Sequence, residues 1–120
     1  MSTQRLDYKK ASPSAFEAML ALSKFTENTN LDKKLLNLVY LRASQLNGCA
    51  WCLNMHTKDA RESGESEQRI CLLPAWYEAP TTTYTETEKA ALEWTEAITL
   101  VKESRVSDEI YNKVKKYFSE

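Results

Sequence analysis

The sequence predicts an all-α fold. Leu and Ala together outnumber Val and Ile by 26 to 7, a bias toward residues that lose little freedom in a helix and away from those that favour strands. Only two glycines and three prolines fall within the 120 residues, so few breakers interrupt the periodic stretches. Apolar residues recur three and four apart in those stretches, which cap and turn residues separate. The expected architecture is a compact bundle of about six helices, and the length suits one domain, 1–120, built around a single core.

Each element has a local reason. Residues 1–11 carry no clear period. Ser12-Pro13 starts the first helix, with Ser12 as cap and Pro13 in the first turn, and Phe16, Met19, Leu20 and Ala21 or Leu22 form its apolar face to about Glu27. Asp32 caps a second helix that carries Leu35, Leu38, Val39, Arg42 and Leu46 on one side and stops at Asn47-Gly48. A third opens at Cys49 and closes near Gly64. A fourth follows Ser66 through Ile70, Leu72, Leu73 and Trp76, shortened or kinked where Pro74 removes a backbone donor. After a Thr-rich loop, Thr85 and Glu88 match a capping box, and Ala90, Ala91, Trp94, Ala97, Ile98 and Val101 continue at helical spacing. Ser107 caps the last helix, whose face is Ile110, Tyr111, Val114, Tyr117 and Phe118.

Charge and composition remove several functions. Sixteen Lys and Arg against 17 Asp and Glu leave no net positive field for nucleic acid, and a near-zero net charge permits self-association. No apolar run is long enough to span a bilayer and the N-terminus lacks the apolar stretch of a secretion signal, so the expected location is the cytoplasm. There, three cysteines point to metal binding or redox chemistry rather than to a disulfide framework. No glycine-rich phosphate loop, Ser/His/Asp arrangement or carboxylate set at metal-ligand spacing is present.

The chemistry concentrates at Cys49-Ala50-Trp51-Cys52, a CxxC, with His56 four residues on as the only histidine. On a helix these three positions fall within a sector of about 60°. The reactive form of a thiol is the thiolate, which the positive helix end favours at Cys49 and the imidazole one turn on favours at Cys52. Local effects alone leave the attacking cysteine undecided. A structural zinc site takes four ligands, and only Cys71 could add a fourth soft one, which makes metal binding the weaker reading. Buried cysteines beside a structural histidine are the blander alternative.

The run from Leu35 to Cys52, ending Leu46-Asn47-Gly48-Cys49-Ala50-Trp51-Cys52 and continuing through Met55-His56-Thr57-Lys58-Asp59-Ala60-Arg61, resembles the core of the alkylhydroperoxidase AhpD group within the carboxymuconolactone decarboxylase family. Arg5-Leu6-Asp7-Tyr8, Ala11-Ser12-Pro13, Glu67-Gln68-Arg69, Trp76 and the stretch from Glu88 to Ala97 extend the likeness over nearly the whole chain. The resemblance implies a helical subunit that assembles as a trimer or hexamer and a thiol-dependent peroxidase. It also implies roles: Cys52 attacks a hydroperoxide, Cys49 resolves the sulfenic acid as a disulfide, His56 assists proton transfer, and an external dithiol reduces the pair. Flavin, haem, nicotinamide and metal are not implied. The decarboxylase branch generally lacks the cysteine pair, which argues against lactone decarboxylation here.

The family's proton-relay glutamate usually stands twelve residues before the first cysteine, where this chain has Asn37, an amide that takes up no proton at neutral pH. Relatives usually continue past Phe118-Ser119-Glu120 into another apolar helix, which this chain is expected to lack. The alternative function, from a different class, is a non-catalytic or redox-sensing helical interaction protein.

Among the remaining residues, Cys71 reads as a buried inert thiol between Ile70 and Leu72, with a secondary redox or metal role as the alternative, and Trp51 as ordinary packing at a helix start, with the shaping of a substrate entrance as the alternative. Trp76, Trp94, Tyr111, Tyr117 and Phe118 read as core or subunit-interface residues. Arg42, on an apolar face, reads equally as a buried ion pair or a contact near the site, and Gln45 and Ser44 as orienting or surface residues. Lys113, Lys115 and Lys116 read as a solvated cluster near a helix C-terminus.

Overall fold

Capping chemistry decides where most of the helices begin. The computed structural model describes residues 4–120, and among these there is no strand. Helix α1 is Tyr8–Ala11, started by Asp7, whose carboxylate accepts the Lys10 amide at 3.2 Å. Four residues cannot display a period, so no helical signal marks it in the sequence. Helix α2, Pro13–Glu27, has the expected bounds, but the Ser12 side chain makes no capping bond, which leaves Pro13 as the local start signal. Helix α3, Lys33–Asn47, begins with the Asp32 carboxylate accepting the amides of Lys34 and Leu35, and ends at Gly48 in the left-handed region at φ 60°.

Helix α4, Ala50–Glu62, follows directly. Helix α5, Glu67–Leu72, is capped by Ser66 and runs into a 3₁₀ turn, Leu73–Ala75, where Pro74 has the shortening effect expected of it. Helix α6, Glu86–Thr99, carries the complete Thr85/Glu88 capping box. The periodic pattern through Val101 is broken at Leu100, and Val101–Ser104 forms a separate short helix, α7. Helix α8, Asp108–Val114, is capped by Ser107 as expected, but Tyr117 and Phe118 lie past its end.

The structure divides into two units between Leu31 and Asp32. In the first, Tyr8 and Phe16 meet with ring centroids 5.8 Å apart and the Lys9 ammonium lies over the Phe16 ring. The apolar side of α2 stays open: Met19 is 74% exposed, Leu22 67% and Phe25 71%.

In the second unit, α3 packs against both α4 and α6, and α6 also meets α7 and α8. Leu38, Leu41, Leu73, Trp76, Tyr84 and Leu92 form the buried cluster, with Leu53 of α4 packed against it. Full burial of each such leucine stabilises by about 1.5–3 kcal/mol relative to exposure. Ala90, Ala91 and Ala97 put small side chains on the buried side of α6, which lets neighbouring helices approach closely. The Tyr84 hydroxyl donates to the Arg69 carbonyl, and the Arg69 guanidinium binds both Glu65 and Glu88, tying the loop before α6 to α5. No helix among the described residues is long and apolar enough to cross a membrane.

Candidate active site

The turn from α3 into α4 builds the site. Gly48 adopts a positive φ that an L side chain rarely takes, although a Cβ there would meet no atom within 4 Å. The requirement is therefore conformational rather than steric. One residue later, Cys49 occupies the N-cap of α4 with extended backbone, and its sulfur accepts the Cys52 amide at 3.2 Å. The expected shared face is thus modified: Cys49 flanks the helix, while Cys52 and His56 lie one turn apart on it. Cap positions usually carry Ser, Thr, Asp or Asn, so residue type hid this role of Cys49.

Cys49 and Cys52 are joined by a disulfide, with Cα atoms 5.3 Å apart. Both cysteines are half-buried. The His56 ring stacks on Tyr40 of α3, with centroids 5.2 Å apart and planes inclined by 25°. Its Nδ1 is shielded from solvent and lies 3.4 Å from Asp59 Oδ2, within ion-pair range, but makes no hydrogen bond there. Leaving a buried polar atom unsatisfied costs about 1–3 kcal/mol. Asn37 faces the other end of α4: its Nδ2 donates to Ser63 Oγ at 3.0 Å and more weakly to the Asp59 carbonyl at 3.4 Å. The amide is engaged in bracing the last turn of that helix.

Further residues singled out by sequence take definite places. Arg42 is an ion-pair residue: its guanidinium donates to Glu96 at 2.7 and 2.8 Å and to Gln45 at 3.0 Å. Trp76 donates its indole N–H to the same Glu96 oxygen at 2.6 Å, and Ser44 bonds back to the Tyr40 carbonyl. No local pattern marks the role of Glu96, because its partners are 54 and 20 residues away. Trp94 and Tyr111 touch with centroids 6.0 Å apart.

Three expectations are corrected. Cys71 is a free, exposed thiol rather than a buried one: α5 leaves Cys71 and Leu72 outside, and it is Leu73, in the turn beyond the helix, that enters the core. Trp51 is 60% exposed rather than packed, since it follows Ala50 on the outer side of the first turn of α4. Lys113 is held by Glu93 at 2.5 Å, and that hydrogen bond raises its pKa, so this lysine is not simply solvated. A cavity of about 420 Å³ lies against α6 and α7, lined by Trp76, Tyr77, Glu96 and Leu100, but neither cysteine nor His56 contributes to it. No group of three or more His, Cys, Asp or Glu that could hold a metal occurs among the described residues.

Residues 13–97 match the profile of the carboxymuconolactone decarboxylase family. The chain belongs to that family. It is 42% identical over 118 residues to the uncharacterized protein YdfG of Bacillus subtilis, covering 98% of this chain and 79% of that one. A shorter stretch of 63 residues, 51% of this chain and 56% of the other, is 35% identical to uncharacterized protein 4 in the cox locus of Paracoccus denitrificans. A crystal structure from Agrobacterium tumefaciens superposes with a TM-score of 0.89 at 41% identity, over 98% of this chain and 80% of that one. That protein is described as of unknown function and provisionally as an antioxidant defence protein AhpD. The AhpD-like helical fold expected from the CxxC stretch is the fold this family member has.

Proposed function

We propose that the protein is a thiol-dependent peroxidase of the AhpD type, working through a Cys49–Cys52 disulfide cycle. The observation that carries this reading is the Cys49–Cys52 pair at the start of α4, with His56 one turn beyond Cys52. In the reduced protein the Cys52 thiolate attacks the distal oxygen of a hydroperoxide. The O–O bond breaks, Cys52 becomes a sulfenic acid, and the departing alkoxide takes a proton delivered through His56. The Cys49 thiolate then attacks the Cys52 sulfur, forming the disulfide and releasing hydroxide, which is protonated to water. An external dithiol restores both thiols and leaves as its own disulfide.

Several features support the assignment of roles. The capping position keeps the Cys49 sulfur against the Cys52 amide, close enough to resolve a sulfenic acid without helix movement. The positive end of α4 favours the thiolate at Cys49, the form in which it resolves the sulfenic acid. Asn37 supplies no proton, and its amide is committed to Ser63, so proton handling falls to His56. Lactone decarboxylation has no use for a dithiol at this position.

The same reading takes the working form to be a homo-oligomer, a trimer or hexamer, in the cytoplasm. Exposed Met19, Leu22 and Phe25 on α2 are an apolar surface that a second copy would cover. Light scattering on the reduced protein distinguishes an oligomer from a monomer. The activity itself is tested by steady-state consumption of a hydroperoxide with a small dithiol as reductant: sustained turnover that vanishes in Cys52→Ser supports it, and equal rates in both proteins contradict it.

A further inference from the structure

The His56 ring packs on one face against α3. Tyr40 stacks on it, Nδ1 is shielded from solvent, and the carboxylate of Asp59 stands 3.4 Å from that nitrogen. Asp59 is itself fixed from α3, because Asn37 donates to its carbonyl and to Ser63 four residues on. We infer that Asp59 is a positioning residue that keeps the proton of neutral His56 on Nδ1, so that Nε2 is the nitrogen free to exchange protons with the thiol site. The inference deepens the peroxidase reading and rests on it for the purpose that Nε2 serves.

The argument is one of complementarity. A carboxylate only accepts hydrogen bonds, so the imidazole nitrogen facing it must carry hydrogen to be stabilised, and the opposite nitrogen then presents its lone pair. A carboxylate that selects the tautomer and orientation of a histidine raises the fraction of enzyme ready for proton transfer without touching substrate. Asp59 is 44% exposed at its side chain and so has room to close the remaining gap to a full hydrogen bond, whereas the ring is only 19% exposed and stacked on Tyr40. Tyr40 of α3 stacks on the ring face, and Cys52 stands one turn earlier on α4.

Because His56 is the only histidine, its imidazole nitrogens give one unambiguous pair of ¹⁵N signals. The test is the tautomer of neutral His56 in the reduced full chain, recorded without peroxide, in wild type, Asp59→Ala and Asp59→Asn. The expected result is a predominantly Nδ1–H imidazole in wild type, a shift toward Nε2–H in Asp59→Ala, and retention of Nδ1–H in Asp59→Asn, whose amide oxygen still accepts. Peroxide turnover should fall on the order of tenfold in Asp59→Ala and be restored in part by Asn. An Nε2–H tautomer in wild type overturns the inference whatever the variants do, and so does an unchanged tautomer in folded Asp59→Ala. Absence of turnover in wild type sinks the peroxidase reading alone, and the tautomer still decides the role of Asp59.

Discussion

The guanidinium of Arg42 meets the carboxylate of Glu96 at 2.7 Å, joining α3, which ends at the dithiol turn, to α6. Both side chains are largely covered, with Arg42 13% and Glu96 32% exposed, and Trp76 adds its indole N–H to the same oxygen. A partly buried pair of this kind matters most when only one partner is removed, since the other is left as an uncompensated charge.

Arg42→Ala should therefore lower stability by about 2–3 kcal/mol, measured as the midpoint of urea unfolding. Glu96→Gln should cost less, because its amide oxygen can still accept from Trp76 and Arg42. Equal and negligible effects of the two variants would show that the network does not bind the helices together.

Gly48→Ala should destabilise by about 1 kcal/mol through backbone strain alone, since the φ of 60° and not crowding sets the requirement. A larger loss, or none, would mean that the turn adopts another conformation. The variant should also change how readily Cys49 and Cys52 pair, read as the equilibrium with a dithiol buffer.

Asn37→Glu removes both amide donors and sets an anion against the Asp59 carbonyl, which is already satisfied as an acceptor. The expected outcome is a stability loss of about 1–2 kcal/mol in thermal or denaturant unfolding, from the bonds to Ser63 and Asp59. A variant as stable as wild type would contradict the bracing role of position 37.

Glu88 sets an acid limit. Burial pushes its carboxyl up, but hydrogen bonds from Arg69 and the Thr85 amide, with the Arg69 charge, outweigh burial and hold it below the ordinary range. A carboxylate depressed in the folded state stabilises above its unfolded pKa, about 4.3, and that stability is lost as pH falls through the folded value. Glu88→Gln should accordingly flatten the stability profile below about pH 4. An unchanged acid slope would remove Glu88 from the account. Tyr84 sets the opposite limit: burial, with only partial relief from Arg69, pushes its hydroxyl up to about 12. Its contribution is present below the unfolded value near 10 and fades toward 12, so Tyr84→Phe should remove that alkaline loss.

Helix starts and stops were legible where a short stretch carries its own reason. Asp32, Gly48, the Thr85/Glu88 box and Ser107 act on amides within a few residues, and all four took their expected places. Ser12 made no capping bond, and the Leu100 break was invisible because residues on both sides of it keep helical spacing. The CxxC and the helical register of His56 are also local and could be read from spacing. Contacts between distant segments could not: Asn37 with Ser63, Arg42 and Trp76 with Glu96, and the outward face of Cys71 depend on how helices pack. An apolar neighbourhood in sequence suggested a buried Cys71, but a six-residue helix has room to bury only one side, and Leu73 beyond it reached the core.

Roles within the cysteine pair separate by substitution. Cys49→Ser should leave Cys52 able to attack peroxide but not to form the disulfide, trapping a sulfenic acid that a dimedone adduct at Cys52 reports. A trapped adduct at residue 49 in Cys52→Ser instead would reverse the assignment.

The central claim is most directly tested by treating the fully reduced protein with about one equivalent of hydroperoxide, quenching by alkylation, mapping the oxidised cysteines by peptide mass spectrometry, and then counting turnovers with excess peroxide and dithiol. Rapid formation of the Cys49–Cys52 disulfide, with Cys71 still alkylated and many turnovers per chain, is the predicted result. Inert cysteines, or slow oxidation spread over all three including Cys71, would contradict it.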